Sequence, residues 1–158
     1  MIRDANPHDW PAVLALNAAS VEQLSPLDEA LLAKLAAAAT YFRVVEVDGA
    51  VGAFLLGFRK GDAYAGAIFG VFSRQANDFL YIDRVVVDAR LRGQGLAGRL
   101  YDDIAQFARE ARIGRLVCEA YTTNETSLRF HARHGFEVAG SQISHGKAVS
   151  LLERQILA

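Results

Sequence analysis

The spacing of apolar and polar positions along the chain changes several times, and each change marks an element. Ile2 and Arg3 open a short strand. Asn6-Pro7 and Asp9-Trp10-Pro11 carry helix-start chemistry, since proline is tolerated only in a first turn. Val13, Leu14, Leu16 and Asn17 continue that helix toward Ser20. A second start is read at Ser25-Pro26-Leu27-Asp28, with Leu27, Leu31, Leu35 and Ala38 forming the buried stripe. From Tyr41 the residues become aromatic and β-branched. Segments 41–47 and 51–58 are predicted strands, joined by the hairpin signal Asp48-Gly49. The stretch 61–78 mixes Tyr64, Ile68, Phe69, Val71 and Phe72 with glycine and alanine, and reads as strand fragments and a loop.

Segment 79–87 is apolar nearly throughout, the pattern of a central strand covered on both faces. Leu96, Leu100, Ile104, Ala108 and Ala111 then recur at helical spacing. Segment 116–121 is a strand, 124–134 a helix, and 136–143 and 148–152 are strands about the turn Ser144-His145-Gly146. The order β-α-α-β-β-β-α-β-α-β-β predicts an α/β (α+β) chain with a mixed sheet and helices packed on it. Neither repeats nor linkers interrupt the pattern, so 1–158 is expected to be one domain.

Composition narrows the function classes. The net charge of −1 gives no field toward nucleic acid or anionic membrane, and the basic and aromatic residues form no tract. Cys118 is the single cysteine, which excludes an intrachain disulfide and points to a reducing, cytoplasmic setting. Residues 1–9 carry Arg3, Asp4 and Asp9 without the apolar core of a signal peptide. No apolar run nears the roughly 20 residues that span a bilayer. His8, His134 and His145 have no metal-ligand spacing, and no metal is expected.

The most informative segment is Arg90-Leu91-Arg92-Gly93-Gln94-Gly95-Leu96-Ala97-Gly98-Arg99, which joins a buried strand to a helix start. Such a junction offers unpaired N–H groups at the positive end of a helix dipole, and glycines admit an anion to the backbone. Flanking arginines add charge-assisted contacts, so a phosphate-bearing ligand is the inference. Gly93, Gly95 and Gly98 also spell the dinucleotide fingerprint, with Glu119 about 20 residues further on. Against that rival, Asp88 to Arg92 separate the strand from the first glycine, and arginines crowd the turn. Only 39 residues follow Glu119, too few to complete a doubly wound sheet.

The segment resembles the acyl-CoA signature of the GNAT N-acyltransferase superfamily, Gln/Arg-x-x-Gly-x-Gly/Ala, in the form Arg90-x-x-Gly93-x-Gly95. The preceding Tyr81-Ile82-Asp83-Arg84-Val85-Val86-Val87 is similar to that family's central strand. Asn124-x-x-Ser127-x-x-Phe130-His131-x-x-x-Gly135-Phe136 resembles its second cofactor motif, with histidine where tyrosine is usual. The resemblance covers nearly the whole chain and is weakest over 61–78. It implies a sheet of six to seven strands with helices on both faces and splayed central strands.

It also implies an acetyl-CoA-dependent N-acetyltransferase acting on an amine by direct attack, and by analogy a homodimer. In that frame the N–H groups of Arg92, Gly93, Gln94, Gly95, Leu96, Ala97 and Gly98 cradle the pyrophosphate, with Arg90, Arg92 or Arg99 beside it. Backbone groups of Val85, Val86 and Val87 pair with the pantetheine arm. Asn124 and Ser127 join the cofactor contacts, and His131 does so as acid or as pantetheine neighbour. Glu119 is the first candidate base and Asp83 the second, with a salt bridge to Arg84 as the structural alternative for Asp83. Cys118 reads as a small core residue. The acceptor pocket is expected from the first two helices and 61–78, where Tyr41, Phe42, Tyr64, Phe69 and Phe72 supply apolar surface. An acyl-CoA-binding or sensing module without catalysis is the other function class that keeps the same glycine segment.

Overall fold

The chain is described by a computed structural model in which residues 1–20 and 24–157 are placed. Its strands are β1 (Ile2–Asp4), β2 (Tyr41–Val47), β3 (Ala50–Arg59), β4 (Leu80–Val87), β5 (Arg115–Tyr121), β6 (Glu137–Ser144) and β7 (Lys147–Gln155). Its helices are α1 (Trp10–Ala19), α2 (Glu29–Ala38), α3 (Ala67–Ser73), α4 (Leu96–Glu110) and α5 (Glu125–Arg133). The strands form one mixed sheet of seven in the order β1-β2-β3-β4-β5-β7-β6. β4 and β5 are parallel and pair only at Leu80↔Leu116 and Tyr81↔Val117, which is the splay of the central strands. The chain divides into two compact units, Met1–Phe58 with Asp83–Ile104, and Arg59–Ile82 with Ala105–Ala158.

In the first unit the Asp48-Gly49 turn closes the β2–β3 hairpin as expected, with φ of 52° and 78°. Val13, Leu32, Val44, Phe54 and Val86 form the core of this unit, and the Trp10 ring stacks on Phe42 at 5.5 Å. Fully burying each such side chain contributes about 1.5–3 kcal/mol. The stripe expected on the second helix is shifted. Asp28, and not Ser25, caps it by accepting from Leu31 N–H at 2.7 Å, so the helix begins at Glu29. In that phase Leu32 and Leu35 turn inward, while Leu31 is 40% exposed.

The second unit holds the main departure from the sequence reading. The stretch expected as strand fragments contains α3, which buries Ile68, Phe69 and Phe72. Its short length and glycines hid a helical stripe that packs edge-on, Phe69 against Phe79 at 5.4 Å. At the start of β5, the buried Arg115 guanidinium pairs with Glu153 at 2.9 Å and lies over the Phe72 and Phe79 rings. No helix among the described residues is long and apolar enough to cross a membrane.

The N-terminal connection of the first unit rests on one carboxylate. Asp9 accepts two hydrogen bonds from Arg3 at 2.8 Å each and a third from Asn6 N–H at 2.9 Å. The Arg3 guanidinium holds the Asp9 carboxyl below its ordinary range. A group depressed in the folded state stabilises above its unfolded value, about pH 4, and loses that contribution as pH falls through its folded value. Asp9→Asn is expected to lose about 1–3 kcal/mol at pH 7 in urea unfolding, with the deficit shrinking toward pH 3.

Candidate functional site

Two groups of residues carry chemistry, one in each unit. In the first unit, β4 ends at Val87, and Asp88 N–H donates to Gly52 O at 2.8 Å. Asp88 then caps a 3-10 turn, Ala89–Leu91, by accepting from Arg90 N–H at 2.9 Å. Its carboxylate also takes the Arg90 side chain, at 3.2 and 2.9 Å. The Arg90 side chain first, and its backbone N–H second, hold the Asp88 carboxyl down at about 2. Arg90 is therefore committed to Asp88 in this structure, although its side chain is largely exposed. Arg92 and Arg99 make no ion pair among the described residues and remain the cations available to an anion.

Gly93 and Gly95 have φ of +79° and +78°, the left-handed region, and a Cβ at either would meet no protein atom within 4 Å. α4 begins at Leu96, and the first backbone bond at its mouth is Arg99 N–H to Gly95 O, at 3.0 Å. A helix cannot satisfy the N–H groups of its first turn internally, so those at the start of α4 face the glycine turn. The turn is exposed, so water can satisfy these groups, and an incoming phosphate can replace that water with charge-assisted bonds. The chemistry of this donor set fits a diphosphate. Upstream, Val86 is core, while Val85 and Val87 are half-buried.

Asp83 lies in the same unit but in a different setting. Its carboxylate accepts from Arg84 Nε at 2.6 Å, and the two side chains are 6% and 7% exposed. Arg84 also donates to Asn17 Oδ1 at 3.0 Å and to Ser25 O at 3.1 Å. The salt bridge weighed as the structural alternative for Asp83 is present, and it ties β4 to α1 and the segment that follows.

In the second unit, the register Tyr81↔Val117 puts Tyr81 on the same sheet face as Glu119, two residues along β5. The Tyr81 hydroxyl donates to Glu119 Oε1. Glu119 is half-buried, whereas its neighbour Cys118 is in the core. Burial, then the Glu119 charge, pushes the Cys118 thiol up, so it is held as a thiol and is a poor nucleophile. Sequence reading gave Tyr81 no role. Only the two-position parallel register connects it to Glu119, and no local spacing carries that information.

α5 brings Asn124, Ser127 and His131 together as their spacing required. Asn124 Oδ1 caps Ser127 N–H at 3.1 Å. His131 Nδ1 lies 2.7 Å from Ser127 O and 3.3 Å from Ser127 Oγ. A carbonyl only accepts, so the bond to Ser127 O requires a proton on Nδ1. Burial holds His131 below its usual value; the Ser127 carbonyl opposes this and the His134 charge adds to it. The ring is 6% exposed and packs edge-on against Phe136 at 5.2 Å. At neutral pH it is uncharged, which weakens the expectation of an imidazolium acid. Of the aromatic residues assigned to an acceptor pocket, Tyr41, Phe69 and Phe72 are core, while Phe42 and Tyr64 are half-buried.

The chain as a whole has counterparts in known proteins. The Acetyltransferase (GNAT) family profile matches residues 10–136. The chain is similar to a spermine/spermidine N(1)-acetyltransferase of Bacillus subtilis (strain 168), 25% identical over 101 residues, which is 61% of this chain and 66% of that one. It is 34% identical over 90 residues to acetyltransferase Atu2258 of Agrobacterium fabrum, 54% of this chain and 63% of that one. The match thus spans slightly under two thirds of each relative's length. Its fold follows that of yncA, a putative acetyltransferase from Salmonella typhimurium solved with acetyl-CoA. There the TM-score is 0.77 and identity 20%, over 100% of this chain and 94% of that one. With the family profile running from α1 through the glycine turn to Phe136, the chain belongs to the GNAT acetyltransferase family.

Proposed function

We propose that this chain is an N-acetyltransferase that moves an acetyl group from acetyl-CoA to an amine by direct attack. The observation that carries the reading is the exposed glycine turn at the mouth of α4, with Gly93 and Gly95 at positive φ and Arg92 and Arg99 beside it. Acetyl-CoA supplies an activated thioester when bound. Arg92 to Gly98 hold its pyrophosphate through backbone donors, and the arginines neutralise its charge.

The acceptor must lose a proton before its nitrogen can attack. Glu119 is assigned as the base: an acceptor N–H bond breaks, the proton passes to the carboxylate, and the electron pair stays on nitrogen. The pair then forms the N–C bond as the C–S bond breaks; the nitrogen releases its second proton to solvent, and the thiolate leaves with a proton taken from solvent or a nearby donor. Asp83 is assigned to the Arg84 network and not to proton transfer. His131 is assigned to packing and to a neutral contact, because its Nδ1 proton is committed to Ser127 O. That commitment also favours a second reading, an acyl-CoA-binding module without turnover, since a proton donor for the thiolate is then not built into α5.

The acceptor is assigned by class only, a primary amine. The relative named for spermine and spermidine makes polyamines one arm of a screen, beside alkylamines, amino acids and a peptide with a free N-terminus. Free CoA thiol release with at least one amine is expected; stoichiometric CoA binding with no release across the panel selects the second reading. Glu119→Gln is expected to lower kcat about 100-fold or more while leaving the acetyl-CoA Kd within about twofold. Gly95→Ala places a methyl group where the protein leaves space, on a backbone strained for any L side chain. Its acetyl-CoA Kd, read by calorimetry, is expected to rise at least about tenfold, roughly 1.4 kcal/mol. An unchanged Kd there counts against the cradle.

A further inference from the structure

Glu119 does not stand alone in the second unit, and its surroundings say what it receives. The Tyr81 ring lies 6.0 Å from that of Tyr64 and 5.7 Å from that of Phe69, and Tyr64 meets Phe69 edge-on at 5.3 Å. Phe69 and Tyr81 are 5% and 3% exposed, whereas Tyr64 is half-buried and forms the accessible side of the cluster.

Tyr64 keeps its place because residue 66 is glycine. A Cβ there would lie 2.5 Å from Tyr64 Cε2 and 2.9 Å from its Cζ. Gly66 has φ −67° and ψ 140°, a conformation open to any residue, so the missing side chain serves the ring and not the backbone. A carboxylate beside aromatic faces receives an ammonium group: the carboxylate meets its charge and the ring faces attract it through their quadrupole.

We propose that Tyr81 is a positioning residue for the Glu119 carboxylate and that Tyr64, seated by Gly66, is the wall that selects a primary ammonium as acceptor. The inference rests on the transferase reading, in which Glu119 takes the acceptor's proton. The Tyr81 O–H donates to one carboxylate oxygen and so fixes the plane of the group while favouring its charged form. Among the groups set against Glu119 are Tyr81 on β4 and Cys118 beside it on β5, and β7 places Leu151 opposite.

Two variants test this, read by activity and by the 13C resonance of the Glu119 carboxyl, which needs no turnover. In Tyr81→Phe the carboxyl titration midpoint is expected to rise, because a donor to the charged form is gone. With an amine substrate, kcat falls about tenfold and the acceptor KM stays within about twofold. In Gly66→Ala, whose backbone accepts alanine, the Tyr64 ring is displaced. Butylamine, titrated against the same resonance, then binds several-fold more weakly than to the wild-type chain, and the carboxyl midpoint stays put. An unmoved midpoint in Tyr81→Phe overturns the positioning role. Butylamine that leaves the wild-type resonance unmoved, or binds both chains equally, overturns the wall. Absence of any amine-dependent thiol release sinks the transferase reading instead, and the two resonance measurements still decide for Tyr81 and Tyr64.

Discussion

The rest of the chain's chemistry depends on backbone N–H groups that the fold leaves unmade. A helix cannot satisfy its first donors internally, and most proteins cap them with a side chain. Here Gly95 precedes Leu96 and has no side chain with which to cap α4, and Gly93 and Gly95 both lie in the left-handed region. In water each group is solvated at little cost, so stability does not require a capping residue. Exchanging those waters for phosphate oxygens converts ordinary bonds into charge-assisted ones of about 1.5–3 kcal/mol each. The arrangement stabilises a bound anion more than it stabilises the fold.

The same logic separates the carboxylates. Asp9, Asp83 and Asp88 each accept from a guanidinium, which makes each a structural tie. Glu119 faces a phenol instead. A phenol donates without a net charge, so it orients a carboxylate while suppressing its basicity far less than arginine does. That distinction argues for Glu119 over Asp83 more firmly than position on the central strands does.

Much of the fold was legible in local chemistry. Asp48-Gly49 named the hairpin because the turn needs positive φ at both positions, and Leu96, Leu100, Ile104 and Ala108 named α4 because all of them are core. The backbone of the glycine turn was legible for the same reason, since the positive φ of Gly93 and Gly95 is what glycine allows. α3 was not legible, because a seven-residue helix among glycines has too few turns to show a period. The phase of α2 was misread through the rival cap at Ser25. Tyr81 escaped notice because its role arises from the register of two strands far apart in sequence. The α5 motif was legible as a face, yet the tautomer of His131 follows from a carbonyl one turn back that no residue type announces.

The departure from tyrosine to histidine on α5 therefore changes the chemistry more than a swap of acids would. A tyrosine hydroxyl rotates about its C–O bond and can turn its one proton to a neighbouring sulfur when no other acceptor holds it. Here the imidazole is pinned by Ser127 O, packed by Phe136 and kept neutral by burial, so the proton it owns points into the helix. In the neutral ring the remaining nitrogen, Nε2, carries a lone pair and can only accept. Under the proposed transfer the thiolate would draw its proton from solvent or from another donor, with His131 offering shape and an acceptor. The physical content of that position is the loss of a mobile hydroxyl, and any account of rate in this chain has to begin from it.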